Sequence, residues 1–245
     1  MFKYIVIISL FIFGYVPPVL AADKNPNKLD VKPELLAQID SNWHLIDITK
    51  GDLNKDGIED YVLVVEADLA RRNFTRRFYY FNEPPYIDAQ KADDWESEAA
   101  DREFMVFLAQ KSGAFEHVFS HSDWVGRADF GGTYGDSYGG IDIDNGAIVL
   151  SAYGGSRIGW NWTMRIRHQE DRWRVIGFTS GSLDRLPPKG QESIDWDRHD
   201  RNLLTYKVYI EQEKAGKMVR QEWNEIVDKT KIYLIDSRQP DIYKR

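Results

Sequence analysis

The sequence predicts an α+β domain, mainly antiparallel β with a short N-terminal helix. Three observations carry that expectation. Short runs rich in Val, Ile, Tyr, Phe and Trp recur along the chain, bounded by Gly, Pro, Asn or Asp. Asn145-Gly146, a strong hairpin dipeptide, separates two such runs. From Trp160 onward, Trp160, Trp162 and Met164 alternate with Asn161, Thr163 and Arg165, as a half-buried antiparallel strand requires.

Lys3, an apolar run from Tyr4 to Val16, and Val19-Leu20-Ala21 read as an export signal over residues 1–21, with cleavage after Ala21 or Ala22. The apolar run is too short for a comfortable membrane span, and Pro17-Pro18 interrupt it. No later stretch reaches the roughly 20 apolar residues of a spanning helix, so no span is expected after signal removal. Residues 22–32 form a polar leader. A single β-rich domain is expected over 33–238, with 184–200 the place where it would subdivide, and a polar tail over 239–245.

Within that domain, Pro33–Ile39 predicts a helix with proline in its first turn. Trp43–Thr49 and Tyr61–Val65 predict strands, the second almost wholly apolar and therefore buried. Phe74–Phe81 predicts a further strand, and residues 82–103 an exposed loop with Pro84-Pro85 and many charges. Phe104–Gln110 and Phe115–His121 flank a turn at Lys111-Ser112-Gly113. After the Gly-rich segment 126–140 come Ile141–Ile143 and Ala147–Ala152, then Trp160–His168 and Trp173–Thr179. A break follows at 186–190. Leu203–Gln212 and Lys217–Trp223 then form a hairpin around Lys214-Ala215-Gly216, and Lys231–Ile235 is the last strand.

Composition narrows the function classes. Formal net charge is −7, and removing residues 1–21 takes away one Lys, giving −8, which argues against a broad basic face for nucleic acid. There is no cysteine, which excludes disulfides, thiolate metal sites and cysteine catalysis. Eight Trp, 13 Tyr and 12 Phe suffice for a sizeable core.

The most specific local pattern is Asp52-Leu53-Asn54-Lys55-Asp56-Gly57-Ile58-Glu59-Asp60. Side-chain oxygens fall at relative positions 1, 3, 5 and 9, glycine at 6, and Ile58 can add its backbone carbonyl. Calcium takes six to eight oxygens, so alternate residues of a tight loop suit it. Three carboxylates this close would repel one another without a cation. One structural calcium ion, held by Asp52, Asn54, Asp56, Ile58 and Asp60, is therefore expected. The competing reading is a polar turn without metal, since Asn, Asp and Gly favour turns for backbone reasons.

The loop opens like an EF-hand, but Leu63 stands where the position-12 Glu would be, and strands flank it instead of helices. GDLNKDGIEDYVLVV instead resembles the calcium loops of FG-GAP and VCBS repeats, including those of integrin β-propellers. The likeness covers about 15 residues, and the loop occurs once, so it does not imply a full β-propeller. The order of export signal, short helix, this loop, Tyr153-Gly154-Gly155-Ser156, Trp160-Asn161-Trp162 and Asn202-Leu203-Leu204-Thr205 is also similar to a group of uncharacterised exported bacterial proteins. That wider likeness implies no activity.

Other constellations are weaker. The Gly-rich segment lacks the Gly-Lys-Ser/Thr ending of a phosphate loop and reads as a surface loop whose Phe130, Tyr134 and Tyr138 can stack on a ligand. His117 and His121, on one strand face, formally make a metal pair but read better as ordinary polar strand residues, and Ser122 and Asp123 invite a triad that no nucleophile elbow supports. No catalytic residue is assigned. The sequence thus points to an exported, periplasmic or secreted, non-catalytic calcium-stabilised module for an envelope or extracellular glycan or protein. The alternatives are a secreted hydrolase of cell-wall or polysaccharide substrate and an aromatic-mediated carbohydrate-binding protein.

Overall fold

A computed structural model describes residues 31–68, 76–77, 94–95, 99–122, 124–169, 172–186, 189, 195–224 and 234–235. The expected export signal, most of the leader and the tail lie outside the described residues. The described chain runs α1 (Pro33–Leu36), β1 (Trp43–Gly51), β2 (Asp60–Ala67), β3 (Arg76–Arg77), β4 (Asp94–Trp95), β5 (Arg102–Ala109) and β6 (Phe115–His121). It continues with β7 (Tyr138–Asp144), β8 (Ala147–Gly155), β9 (Ile158–Gln169), β10 (Arg172–Asp184), β11 (Trp196–Asn202), β12 (Lys207–Lys214), β13 (Lys217–Asn224) and β14 (Leu234–Ile235).

β1-β2-β5-β6 form a four-stranded sheet and β13-β12-β11-β10-β9-β8-β7 a second, larger sheet, which β14 joins through β10. Pairing between the named strands is antiparallel throughout. Among the described residues no sheet closes into a barrel, and one four-residue helix accompanies the sheets. The expected β-rich architecture, distinct from a propeller, is what the chain adopts.

The two sheets share one core. Val62, Val64, Phe104, Val106 and Phe119 of the small sheet meet Ile148, Leu150, Met164, Ile166 and Phe178 of the large one. The opposite face of the small sheet carries Ile48, Tyr61, Leu63, Phe107 and Phe115, closed over by Leu35 of α1. β2 is therefore buried on both sides, and its apolar run is what two dry faces demand. In β9 the predicted alternation holds: Met164 is buried, Asn161 and Arg165 are exposed, and Trp162 stacks on Phe178.

Several elements differ from expectation. α1 is one turn, four residues instead of seven. β5 begins at Arg102, not Phe104, because Arg102 and Glu103 pair with Glu66 and Val65 and so leave the expected loop. The strand expected over Phe74–Phe81 is described only at Arg76–Arg77, paired with Asp94–Trp95. Leu203–Tyr206 is a turn, and the polar stretch Trp196–Asn202 ahead of it is a strand that apolar periodicity does not reveal. Among the described residues, no helix is long and apolar enough to cross a membrane.

Candidate functional site

The acidic loop joins β1 to β2 and is wound about the Asp52 carboxylate. Asp52 Oδ1 accepts the backbone N–H groups of Lys55 at 2.6 Å and Asp56 at 3.2 Å, and Oδ2 accepts that of Gly57 at 2.9 Å. Asn54 Oδ1 accepts the Asp56 N–H, and Asp56 Oδ1 the Ile58 N–H at 2.8 Å. These are the short-range bonds by which Asn and Asp direct turns. Gly57 sits at φ +83°, with open space where a Cβ would be, so its backbone conformation and not crowding calls for glycine.

Asp60 differs from the other acids of the loop. Its side chain is fully buried, and it accepts the N–H of Leu53 at 2.8 Å and, across the small sheet, that of Ala109 at 2.9 Å. Burial pushes its carboxyl above the ordinary carboxylate range. The amides of Ala109, Leu53 and Asn54 oppose that rise, and the negative charge of Asp56 adds to it. The charge of the exposed Asp56 thus reaches the buried Asp60.

The surroundings anchor the loop to the joint between the sheets. Leu53, 1% exposed, enters the shared core. A Cβ on Gly51 would lie 2.7 Å from Ile143 Cγ2 of β7, and one on Gly146 would lie 3.3 Å from the Asp52 carbonyl. The β7–β8 turn therefore packs directly against the loop, and the contact leaves no room for larger residues at Gly51.

Of the five expected calcium ligands, Asp52, Asn54, Asp56 and Ile58 lie in the β1–β2 loop and Asp60 is the first residue of β2. Among the described residues, no group of three or more His, Cys, Asp or Glu converges as a ready metal centre; the loop's own amides hold its carboxylates. Among the described residues, no Lys or Arg pairs with Asp52, Asp56 or Asp60, whereas the nearby Glu59 pairs with Lys50 at 2.7 Å. These are oxygens of the kind a hard divalent cation takes, and here the loop's own amides engage them.

A second polar cluster escaped the sequence reading. Arg102, 5% exposed, donates Nε to Glu66 at 2.6 Å and both terminal nitrogens to Asp136 at 2.7 and 2.8 Å, with Nη1 also on the Gly126 carbonyl. Burial alone would lower the guanidinium pKa, but bonding to Asp136 and Glu66 outweighs it and keeps Arg102 charged. Asp136 also accepts the Tyr138 N–H, and the Tyr138 hydroxyl donates to Asp47 at 2.8 Å. Burial, then the Asp47 charge, push the Tyr138 hydroxyl upward, so it stays protonated. Arg102 carries no sequence signal because it stands at the edge of a charged stretch.

This latch fixes the Gly-rich segment as a built structure. Gly131, Thr133 and Gly155 exchange backbone bonds, and a Cβ on Gly154 would meet the Trp160 ring at 2.5 Å. Of the three expected aromatics, Tyr138 is buried, Phe130 lies edge-on to Trp160, and Tyr134 is 50% exposed beneath the Arg185 guanidinium, 4.3 Å from its ring centre.

The expected shared face of His117 and His121 is corrected. A bulge where Phe107 pairs with His117 but Val106 pairs with Phe119 shifts the register by one residue. His117 therefore lies against Phe107 on the α1 side, and His121 stacks on Trp124 on the other, centroids 4.0 Å apart. They cannot form a metal pair. Compared with known proteins, the chain matches no family model and no curated protein.

Proposed function

We propose that this protein is an exported, non-catalytic binding module whose Asp52–Asp60 loop takes one structural calcium ion. The supporting observation is that Asp52, Asp56 and the buried Asp60 follow one another along one short connection with no basic partner among the described residues, while the Asp56 charge adds to the rise of the Asp60 pKa. A hard divalent cation would draw on the side chains of Asp52, Asn54, Asp56 and Asp60 and the Ile58 carbonyl, and would neutralise that repulsion. Its consequence is mechanical. The loop contacts the β7–β8 turn and, through Asp60, the end of β5, so an ion there would stiffen the joint between the two sheets.

Export fits this use, because extracellular modules bind calcium at roughly 10⁻⁴–10⁻³ M. A ligand bound only by the folded state raises the melting temperature. Melts of the exported chain in calcium are expected to exceed those in chelator, and Asp56→Ala to abolish the difference. Identical wild-type melts, or a calcium shift that survives Asp56→Ala, would overturn the calcium reading.

A glycan ligand is the second reading, favoured by the half-exposed Tyr134 ring beside Tyr153 and Arg185. Aromatic rings with an adjacent polar group are suited to stacking on sugar faces. Tyr134→Ala should then weaken retention on polysaccharide without changing the melt; unchanged retention removes this reading.

A further inference from the structure

β13 ends the large sheet, and among the described residues no strand pairs with its outer edge. All eight of its residues are exposed, including Met218, Val219 and Trp223 at 42%, 37% and 41%. A long exposed edge with apolar side chains is a template for another strand. Its register with β12 determines how that edge can pair. The hairpin closes through the two residues Ala215 and Gly216, at φ 53° and 73°, so Lys214 and Lys217 form a hydrogen-bonded pair. Alternation then turns the N–H and C=O groups of Lys217, Val219, Gln221 and Trp223 toward β12. Those of Met218, Arg220, Glu222 and Asn224 point outward.

A second copy of β13, added antiparallel, must place residues of the same orientation opposite each other. The two-fold axis therefore passes through a residue, not between two. An axis at Arg220 sets Arg on Arg, and one at Glu222 sets Glu on Glu, both unfavourable. An axis at Gln221 sets Arg220 opposite Glu222 and Val219 opposite Trp223, each twice. On the outer face, Arg220 already bonds Glu211 of β12 at 2.6 Å, and Glu222 bonds Lys207 at 3.0 Å. Pairing about Gln221 extends these into rows of alternating charge: Glu222, then Arg220 and Glu211 of the second copy. The other face, where Trp223 stands beside the buried Val208, joins Trp223 to Val219 of the second copy.

We infer that β13 is a self-pairing edge, and that two copies of this chain join their large sheets antiparallel about Gln221. The sequence Val219-Arg220-Gln221-Glu222-Trp223 is complementary to its own reverse in both charge and apolar size, which an isologous two-fold contact requires. This inference is independent of the calcium reading.

The chain has no cysteine, so single-cysteine variants report the contact directly. Only residue 221 faces its own counterpart, as a pair without backbone bonds, whose Cα atoms lie about 4.5 Å apart, near the separation a disulfide spans. Light scattering of the exported chain should show a dimer that grows with concentration. Under mild oxidation Gln221→Cys should cross-link at least tenfold faster than Met218→Cys or Asn224→Cys. Arg220→Glu, which sets Glu on Glu, should lower dimer content at least tenfold with an unchanged circular-dichroism spectrum. A chain that stays monomeric at high concentration overturns the inference. So do equal cross-linking rates at the three positions, or a dimer indifferent to Arg220→Glu.

Discussion

Asp60 Oδ1 accepts the N–H of Ala109, a residue 49 positions away, at 2.9 Å. Its other oxygen accepts Leu53 N–H, so one buried carboxylate ties the acidic loop to the end of β5. This makes Asp60 unlike Asp52, Asn54 and Asp56, whose bonds all stay within the loop. Asp60→Ala strips both amides of their acceptor, at about 1–3 kcal/mol for each buried N–H left bare. Urea unfolding measured in chelator, where no cation contributes, should show that loss. A cost near zero would mean the two amides find other partners.

Arg102 is the corresponding tie for the Gly-rich segment. Arg102→Ala removes the buried guanidinium that Glu66 and Asp136 share, and breaking a buried ion pair costs about 3–5 kcal/mol. The lower end is expected, because the Asp136 side chain is 46% exposed and partly screened by water. Arg102→Lys keeps the charge but loses the two-pronged grip on Asp136, so it should fall between wild type and alanine. Hydrogen exchange at Gly131–Gly135 should accelerate in both variants.

Leu35 tests whether the one-turn helix matters. It is fully buried over Leu63 and Phe107. Leu35→Ala should cost about 2–5 kcal/mol, the range for a large-to-small change in a packed core. Chemical unfolding checks this. A loss below 1 kcal/mol would show that α1 merely rests on the sheet.

The Arg157–Asp184 pair predicts a pH effect. Arg157 holds the Asp184 carboxyl below its ordinary value of 3.8, first through the side-chain hydrogen bond, with the Leu186 amide adding to it. A depressed carboxylate contributes stability above its unfolded pKa, and that contribution is lost as pH falls through the lower, folded value. Arg157→Ala should raise the Asp184 titration midpoint in NMR toward the ordinary value. A midpoint that does not move would show that the Leu186 amide alone sets it.

Much of the fold was legible in local pattern. Tyr61–Val65 read as a buried strand because its run is apolar throughout, and Asn145-Gly146 marked its hairpin because both residues adopt positive φ. Trp196–Asn202 was not legible. It runs Trp-Asp-Arg-His-Asp-Arg-Asn, and its partners β10 and β12 supply the order that its own side chains do not. Arg102 was hidden for a related reason, since a charge in an acidic stretch looks solvated until a sheet places it beside Glu66.

By itself, the sequence determined the strand-rich class, the hairpin positions, the alternation of β9 and the polar turn chemistry of the Asp52–Asp60 loop. All of these depend on residues within a few positions of one another, through side-chain alternation and turn preference. The tertiary structure decided which distant groups meet: Asp60 with Ala109, Arg102 with Asp136, Tyr138 with Asp47. It also put His117 and His121 on opposite faces, because one extra residue in β6 reverses the alternation that the sequence alone implies. The outward set of β13 likewise follows only from its pairing with β12, since strand register is a relation between two segments and neither contains it alone.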